Sequence, residues 1–201
     1  IWKINNNWTL TSGVRFDNYE DIGNTTNPRV ALVWNTSEKL TTKFLYGEAF
    51  RAPSFSELYV KNNPVVLGNS NLKPEKIRTS ELSFNHMMNE NFYSNFNLYY
   101  YQTKDMIEVV TNLEGVSRSQ NNKNLTGKGF ELELGWQPYE VFKLSANYAN
   151  QSTKNKVDNK QVEYVPQKQF YLGAQWDVNS NWKLSGQLEW VMDRERSADD
   201  L

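Results

Sequence analysis

A long hairpin with strict two-residue alternation, over residues 129–150, limits what this chain can fold into. Its first arm alternates Phe130, Leu132, Leu134 and Trp136 with Gly129, Glu131, Glu133 and Gly135. Its second arm alternates Phe142, Leu144, Ala146 and Tyr148 with Lys143, Ser145, Asn147 and Ala149. Because successive side chains of a strand point to opposite sides, the pattern predicts two paired strands with one apolar and one polar face. A soluble β-sandwich and a membrane β-barrel can both produce such a hairpin.

The same alternation recurs along the chain and predicts nine strands after a stub at residues 1–2. The strands are predicted at 8–17, 28–35, 41–49, 76–87, 92–106, 122–136, 142–151, 167–178 and 182–194. Residues 107–121 are expected to extend the strand before them, bend at Glu114–Gly115 and return. Short turns at 3–7, 36–40, 88–91, 137–141 and 179–181 alternate with long loops at 18–27, 50–75, 107–121 and 152–166. An antiparallel meander would place all the short turns at one end and all the long loops at the other.

Composition excludes several classes of function. The chain has no cysteine, a single histidine (His86) and a formal net charge of -1. Disulfides and thiolate or histidine-rich metal sites are therefore excluded, and a nucleic-acid partner is not indicated. Glu131 and Glu133 share a face, but charges that line a wet barrel interior explain them more simply than acid–base catalysis does. We predict no enzyme, no catalytic residue, no bound metal and no cofactor.

Three observations favour a membrane barrel over a soluble, perhaps sugar-binding, sandwich. The predicted strands are long, whereas ordinary strands have ~5–6 residues and a tilted bilayer crossing needs ~9–11. Burying the charged side chains of the polar face in a protein core would cost free energy. Tryptophans cluster near the short turns, where amphipathic rings can meet lipid headgroups. The predicted membrane-interface girdle is Trp2, Trp8, Trp34, Trp136, Trp176 and Trp182.

Three motifs carry a resemblance to a known family. Residues 50–53 read Phe-Arg-Ala-Pro, residues 68–75 read Gly-Asn-Ser-Asn-Leu-Lys-Pro-Glu, and residues 127–131 read Gly-Lys-Gly-Phe-Glu. With barrel-like strands on both sides, they resemble the TonB-dependent outer-membrane receptors. The resemblance implies a 22-stranded barrel, closed inside by an N-terminal plug, that imports iron chelates, haem or cobalamin with energy passed from the inner membrane.

The expected fold is therefore all-β, an antiparallel up-and-down meander that forms part of a transmembrane β-barrel in the bacterial outer membrane. Residues 1–201 are expected to be a later part of one barrel domain, without the plug domain, the signal peptide or the terminal strands. The expected partners are outer-membrane lipid and lipopolysaccharide, a small-molecule iron chelate, and the TonB complex through the plug region.

The expected cargo is a ferric siderophore. The paired boxes are associated with haem receptors, but no histidine lies between Phe50 and Leu72, and Ser70 stands where the box has proline. Haem and cobalamin stay open as alternatives, as do a passive porin-type channel and a soluble binding module.

Cations and aromatic side chains of the long loops are the candidate ligand contacts. From Arg51 to Arg78 there are five cations against two carboxylates, and residues 152–168 have four lysines against two carboxylates. Such loops could concentrate an anionic chelate, but the lysines could equally bind lipopolysaccharide phosphates or keep the loops solvated. For Phe55 and Tyr59, simple loop packing is the alternative role. The candidate ligand-binding residues are Arg51, Phe55, Tyr59, Arg118, Lys154 and Tyr164.

Overall fold

The computed structural model describes residues 1–63 and 65–196, so Pro64 of the predicted long loop and the last five residues, 197–201, lie outside the described part. Twelve strands and one short helix follow each other along the chain. They are β1 (Trp2–Lys3), β2 (Trp8–Tyr19), β3 (Gly23–Asn35), β4 (Leu40–Arg51), α1 (Phe55–Tyr59), β5 (Glu75–Asn89), β6 (Phe92–Lys104), β7 (Met106–Thr111), β8 (Ser117–Lys123), β9 (Leu125–Tyr139), β10 (Phe142–Asn155), β11 (Lys168–Asn179) and β12 (Trp182–Met192). Within the described residues, no helix is both long and apolar enough to cross a membrane.

Ten of the strands form one antiparallel sheet in the order β1-β2-β3-β4-β5-β6-β9-β10-β11-β12. Every neighbour in this sheet is also the next strand in the chain, except that β7 and β8 form a separate two-stranded sheet between β6 and β9. The predicted up-and-down meander of nine strands and a stub is therefore confirmed. We call the end with the short turns the turn rim and the opposite end the loop rim.

The connections predicted at 18–27 and 107–121 differ most from the structure. The polar stretch 18–27 is mostly strand, because β2 continues to Tyr19 and β3 begins at Gly23, whose φ of +80° closes a tight turn. Residues 106–123 form the independent β7–β8 hairpin and do not extend β6. Asp105 ends β6 with a φ of 57°, and its backbone N–H donates to Asn124 Oδ1 at 3.0 Å. This bond, between residues 19 apart in the chain, joins the two ends of the β7–β8 hairpin at the point where the backbone leaves β6.

The ten-stranded sheet has one apolar face and one polar face. On the apolar face, the rings of Trp8 and Trp34 stack with centroids 5.0 Å apart, and the ring centroid of Phe130 lies 5.8 Å from those of both Phe96 and Tyr148. Apart from Pro53 and Pro74, the buried apolar side chains within the described residues are Leu58, Leu72 and Leu125. The other sheet of the described chain is the β7–β8 hairpin at the loop rim, so no second layer covers the apolar face. This arrangement excludes a sandwich, which would bury one face of each sheet.

Tyrosines of β6 cover glycines of β9 on the polar face. The register places Tyr93, Tyr99 and Tyr101 opposite Gly135, Gly129 and Gly127. A Cβ atom at Gly127 would lie 2.2 Å from the Tyr101 ring, and one at Gly135 would lie 2.1 Å from the Tyr93 ring. Only glycine leaves room for each ring to lie flat on the neighbouring strand. At these three positions the polar face of the sheet is therefore covered by tyrosine rings that carry hydroxyl groups.

Hydrogen bonds join the polar groups of the same face. Asn85 Nδ2 donates to Asn95 Oδ1 at 2.8 Å, and Asn95 Nδ2 donates to Glu133 Oε2 at 3.0 Å. The Tyr93 hydroxyl donates to the other Glu133 oxygen at 3.1 Å. Glu133 is thus an acceptor in a structural network, and this use of its carboxylate agrees with a wet, non-catalytic lining.

Candidate functional site

Two segments of the loop rim fold together into one unit, which we call the loop platform. It consists of the described residues 52–63 and 65–74, which contain α1, and the β7–β8 hairpin. The backbones of the two segments meet directly: Leu67 N–H donates to Ser117 O at 2.9 Å, and Ser119 N–H donates to Leu67 O at 3.2 Å. These two bonds form a parallel bridge between Leu67 and Arg118. The platform contains two of the three buried leucines of the described residues, Leu58 and Leu72.

Helix α1 begins with a capping box that follows the Phe-Arg-Ala-Pro motif. Ser54 Oγ accepts from Glu57 N–H at 3.3 Å, and Glu57 Oε2 accepts from Ser54 N–H at 2.7 Å. Pro53, directly before the cap, is buried, and Leu58 is the buried residue of the helix. A helix of only five residues is marginal by itself, so this cap and the packing of Leu58 must hold it.

Arg51 joins the end of β4 to both α1 and β5. Its Nε donates to Glu75 Oε2 at 2.7 Å, and its Nη1 donates to Glu57 Oε2 at 3.0 Å. Glu75 Oε1 accepts in turn from the backbone N–H of Ile107, at 2.7 Å, which connects the hairpin to the same cluster. Hydrogen bonds from Arg51, together with those from Ser54, lower the pKa of Glu57 to about 2 against the opposing effect of burial. The guanidinium therefore serves the architecture of the platform.

The Gly-Asn-Ser-Asn-Leu-Lys-Pro-Glu motif packs against the backbone of α1 and of Val60, which follows it. Gly68 N–H donates to Val60 O at 2.8 Å, and Asn69 N–H donates to Glu57 O at 2.7 Å. A Cβ atom at Gly68 would lie 2.7 Å from Val60 N and 2.8 Å from the Leu58 carbonyl, so the motif needs glycine for this close approach.

Asn121 clamps the two segments of the platform from the hairpin side. Its Oδ1 accepts from Lys73 N–H at 2.7 Å, and its Nδ2 donates to Lys73 O at 2.9 Å and to Asp105 O at 2.6 Å. Asn69 adds a bond from its Nδ2 to Ser119 O at 3.1 Å. Asn121 was not predicted from the sequence. The Gln-Asn-Asn-Lys-Asn run at residues 120–124 is the pattern that could have indicated it, because amide side chains can bond to backbone donors and acceptors at once.

Acid should loosen α1, because Glu57 must stay ionised to keep its bonds. Its folded pKa is depressed from an unfolded value of ~4.3, so its contribution is present above that value and fades as pH falls toward about 2. We expect a spin label at Ser56→Cys, unique in a chain without cysteine, to gain mobility between about pH 4.5 and 2 by paramagnetic resonance. The same label in Glu57→Gln should be mobile already at neutral pH. A label that stays immobile to pH 2 in the otherwise native chain would contradict this role of Glu57.

The structure brings three of the predicted ligand residues together and places a fourth, Arg118, on the hairpin that is bonded to the same loop. Phe55 and Tyr59 are the first and last residues of α1, with ring centroids 5.8 Å apart, and Arg51 bonds to Glu57 of the same helix. Phe55 is 79% exposed and therefore does not pack within the loop. Arg118 is exposed on β8, beside Leu67.

The other two predicted ligand residues, Lys154 and Tyr164, lie outside the loop platform. Tyr164 lies under the guanidinium of Arg194, 5.9 Å from its ring centre, and its N–H donates to Glu195 O at 2.8 Å. Lys154 belongs to β10, where the alternation puts it on the apolar face with Leu144 and Tyr148. The register therefore turns Lys154 away from the polar face that Thr153 shares with Tyr101.

The predicted cationic loops are less cationic than their sequence indicates. Arg51 is compensated by two carboxylates, and Lys76 and Arg78 lie on the apolar face of β5. Lys154 and Lys168 likewise belong to strands. The six predicted girdle tryptophans also lie on the apolar face, beside the turn rim. No group of three or more potential metal-ligating side chains occurs in the described part of the chain.

A protein-family model described as "TonB dependent receptor-like, beta-barrel" matches residues 1–201. The chain is 29% identical over 127 residues to the vitamin B12 transporter BtuB of Vibrio cholerae, a match that covers 63% of this chain and 20% of the transporter. It is 25% identical over 202 residues to the heme/hemopexin utilization protein C of Haemophilus influenzae, covering 83% of this chain and 28% of that protein.

Among solved structures, the chain superposes on a mutant of the ferric enterobactin receptor PfeA of Pseudomonas aeruginosa in complex with enterobactin. The TM-score is 0.82 at 19% identity, and the match covers 94% of this chain and 31% of the receptor. At that identity the likeness concerns the fold. The chain thus spans about a fifth to a third of the length of the proteins it matches.

Proposed function

The chain belongs to the TonB-dependent receptor β-barrel family, whose members are transporters and receptors of the bacterial outer membrane and not enzymes, and from this premise we propose that it forms part of the barrel wall of a receptor that imports a ferric siderophore. The proposal takes residues 1–201 as part of one barrel domain and the interior plug as a separate part of the receptor. Energy would come from the TonB complex through that plug, and the apolar face would contact outer-membrane lipid.

The observation that carries the ligand class is the composition of the exposed side of the loop platform. The Phe55 ring lies next to that of Tyr59 and is exposed to solvent. It belongs to α1, which is capped by Ser54 and held in place by Arg51. Arg118 is exposed on the hairpin that is bonded to the same loop. Aromatic faces and a guanidinium suit a flat, anionic chelate, since both bind by stacking and by charge. Arg51 would then act as a positioning residue.

Cobalamin is the second candidate, because the relative BtuB is named a vitamin B12 transporter. Haem is a third, since another relative is named for heme and hemopexin use. The sequence between the two boxes offers no histidine for a haem iron. A passive channel would not need an ordered aromatic platform at its mouth.

The experiment is a binding panel on the complete receptor that contains this chain. A ferric catecholate siderophore, haem and cobalamin are titrated against the native protein and against Phe55→Ala. We expect the siderophore to bind tightest and the substitution to weaken it about 10-fold, as a lost stacking contact of ~1–1.5 kcal/mol would do.

The matched control is Val157→Ala, a similarly exposed apolar residue on the loop that connects β10 and β11. It should leave the affinity unchanged. Tighter binding of cobalamin or haem than of every ferric siderophore would transfer the proposal to that ligand. Equal affinities of Phe55→Ala and the native receptor would remove the platform from the binding site.

A further inference from the structure

The β7–β8 hairpin has a regular hydrogen-bond ladder, and this ladder decides which backbone groups point out of the hairpin. At its turn, Asn112 N–H donates to Val116 O at 3.0 Å. Because hydrogen-bonded and non-hydrogen-bonded pairs alternate in an antiparallel ladder, Val110 and Arg118 form the next bonded pair. The N–H and C=O groups of Val109 therefore point outward, away from β8.

The outer edge of β8 is covered by the loop that follows α1. Ser117 O accepts from Leu67 N–H at 2.9 Å, and Ser119 N–H donates to Leu67 O at 3.2 Å. Ser119 O accepts in addition from Asn69 Nδ2 at 3.1 Å. These bonds agree with the alternation, since the residues of β8 that they use are those whose backbone groups point away from β7. The outward groups of β8 are therefore already bonded within the loop platform.

The outer edge of β7 is free beyond its first residues. Ile107 N–H donates to Glu75 Oε1 at 2.7 Å. Further along the strand, the N–H and C=O of Val109 and the N–H of Thr111 have no partner within the described residues. The Val109 side chain is 54% exposed, and Thr111 is exposed as well. Unpaired backbone groups at the edge of a sheet are a template for the addition of another strand.

The length of the free edge favours a short peptide over a strand of another protein. Glu75 occupies the edge at Ile107, and the turn of the hairpin begins at Asn112, so the open stretch is residues 108–111. A very short edge strand is one of the means by which proteins avoid pairing with each other. In antiparallel pairing, the central residue of a tripeptide can still exchange two backbone hydrogen bonds with Val109.

The charge beside the free edge suits an anion. Arg118 lies opposite Val110, one strand away from the edge, and neighbouring strands are only ~4.8 Å apart. Lys123 of the same strand pairs with Glu108 at 3.9 Å, whereas Arg118 makes no ion pair within the described part of the chain. A planar guanidinium is well suited to bind anionic oxygen atoms. A peptide along β7 that carries an anionic chelate would therefore place this chelate near an unpaired cation.

We propose that the free edge of β7 binds the peptide backbone of the imported siderophore, which adds to the hairpin as a short third strand. Val109 exchanges two hydrogen bonds with one residue of this peptide, and Arg118 binds the anionic chelating groups. The inference rests on the proposed function and narrows its ligand to siderophores whose chelating groups are carried on a peptide.

The test uses two ferric chelates and the complete receptor in detergent. Both chelates carry three catechol groups on the side chains of a linear trilysine peptide, and in the second chelate the central peptide nitrogen is methylated. Methylation removes one backbone bond, and its bulk prevents the other. The native receptor should bind the methylated chelate about 25-fold more weakly, since each of the two bonds contributes roughly fivefold.

Val109→Pro removes the same bonds from the side of the receptor, and Val109→Ala is the matched control because it keeps the backbone N–H. An edge strand tolerates proline where its N–H faces solvent. Val109→Pro should bind both chelates as weakly as the native receptor binds the methylated one, because the two changes remove one interaction. Val109→Ala should stay within about twofold of native for each chelate. Amide exchange of Val110, which bonds within the hairpin, checks that the Val109→Pro hairpin is folded.

Three results would overturn the proposal. They are equal binding of the two chelates by the native receptor, continued discrimination between them by Val109→Pro, and a Val109 amide that is protected from exchange in the receptor without ligand. The last result would mean that another loop of the receptor covers the edge. A ferric catecholate without a peptide separates this inference from the proposed cargo. If it binds while the two peptide chelates do not differ, only the role of β7 is wrong, and if no ferric chelate binds, the proposed cargo is wrong as well.

Discussion

Leu132→Arg is expected to lower the free energy of unfolding in lipid vesicles by about 2–4 kcal/mol, the cost of an arginine at the bilayer midplane of a β-barrel. Leu132 lies midway along β9, four residues from both Trp136 and Lys128, and its register partners Phe96 and Tyr148 are aromatic. A guanidinium there cannot reach either headgroup layer. Urea unfolding of the complete receptor in vesicles, followed by tryptophan fluorescence, measures the change.

Asn147→Arg is the matched control on the opposite face of the same hairpin. Asn147 is exposed, and it lies directly opposite Glu133 in the β9–β10 register. We expect this substitution to change stability by less than ~0.5 kcal/mol, because the new charge meets water and a carboxylate. If the two substitutions cost the same, or if Asn147→Arg costs more, the apolar face does not contact lipid and the membrane orientation is wrong.

Gly68→Ala should separate the Gly-Asn-Ser-Asn-Leu-Lys-Pro-Glu motif from α1 within the loop platform. Its Cβ would lie under 3 Å from the backbone of Leu58 and Val60, and backbone cannot move aside as the end of a side chain can. We expect a loss of ~2–3 kcal/mol of local stability. Hydrogen exchange of the amides of residues 57–69 should then accelerate by roughly 30- to 150-fold. Ligand affinity should fall with it, since Phe55 loses its support.

Gly47→Ala serves as the control for Gly68, because a Cβ at Gly47 would meet no atom within 4 Å. Its exchange rates and ligand affinity should match those of the native receptor. Unchanged exchange in Gly68→Ala would mean that α1 and the motif are not packed as described. Accelerated exchange with unchanged ligand affinity would instead separate the platform from ligand binding.

The sheet could be predicted from the sequence because alternation is a local signal. Residues 129–150 show it over both arms, and in the structure they belong to β9 and β10, with a turn at residues 140–141 that is shorter than the predicted turn at 137–141. The alternation of apolar and polar residues is lost where both faces of a strand contact water. Asn18, Asn24 and Asn27 look like loop residues, but they pair in β2 and β3 at the loop rim. Polar side chains cost little there on either face, so alternation disappears while the hydrogen-bond ladder continues.

The site could be predicted only in part, because its geometry depends on contacts between distant segments. Arg51 was predicted to contact the ligand. Its partners Glu57 and Glu75 are 6 and 24 residues away, and its bonds to them indicate that Arg51 stabilises the loop platform. Asn121 contacts Lys73 from 48 residues away, and no local pattern reports that contact. Lys154 was grouped with the loops because its strand was predicted to end at residue 151, whereas β10 continues to Asn155.

The joining of two chain segments in the loop platform has a consequence for any protein that binds at the loop rim. An antibody or a phage tail protein that binds there would contact α1 and the β7–β8 hairpin together, since backbone bonds at Leu67 hold them side by side. Its epitope would be discontinuous. Synthetic peptides of residues 52–74 or 106–123 should therefore compete poorly for such a binder.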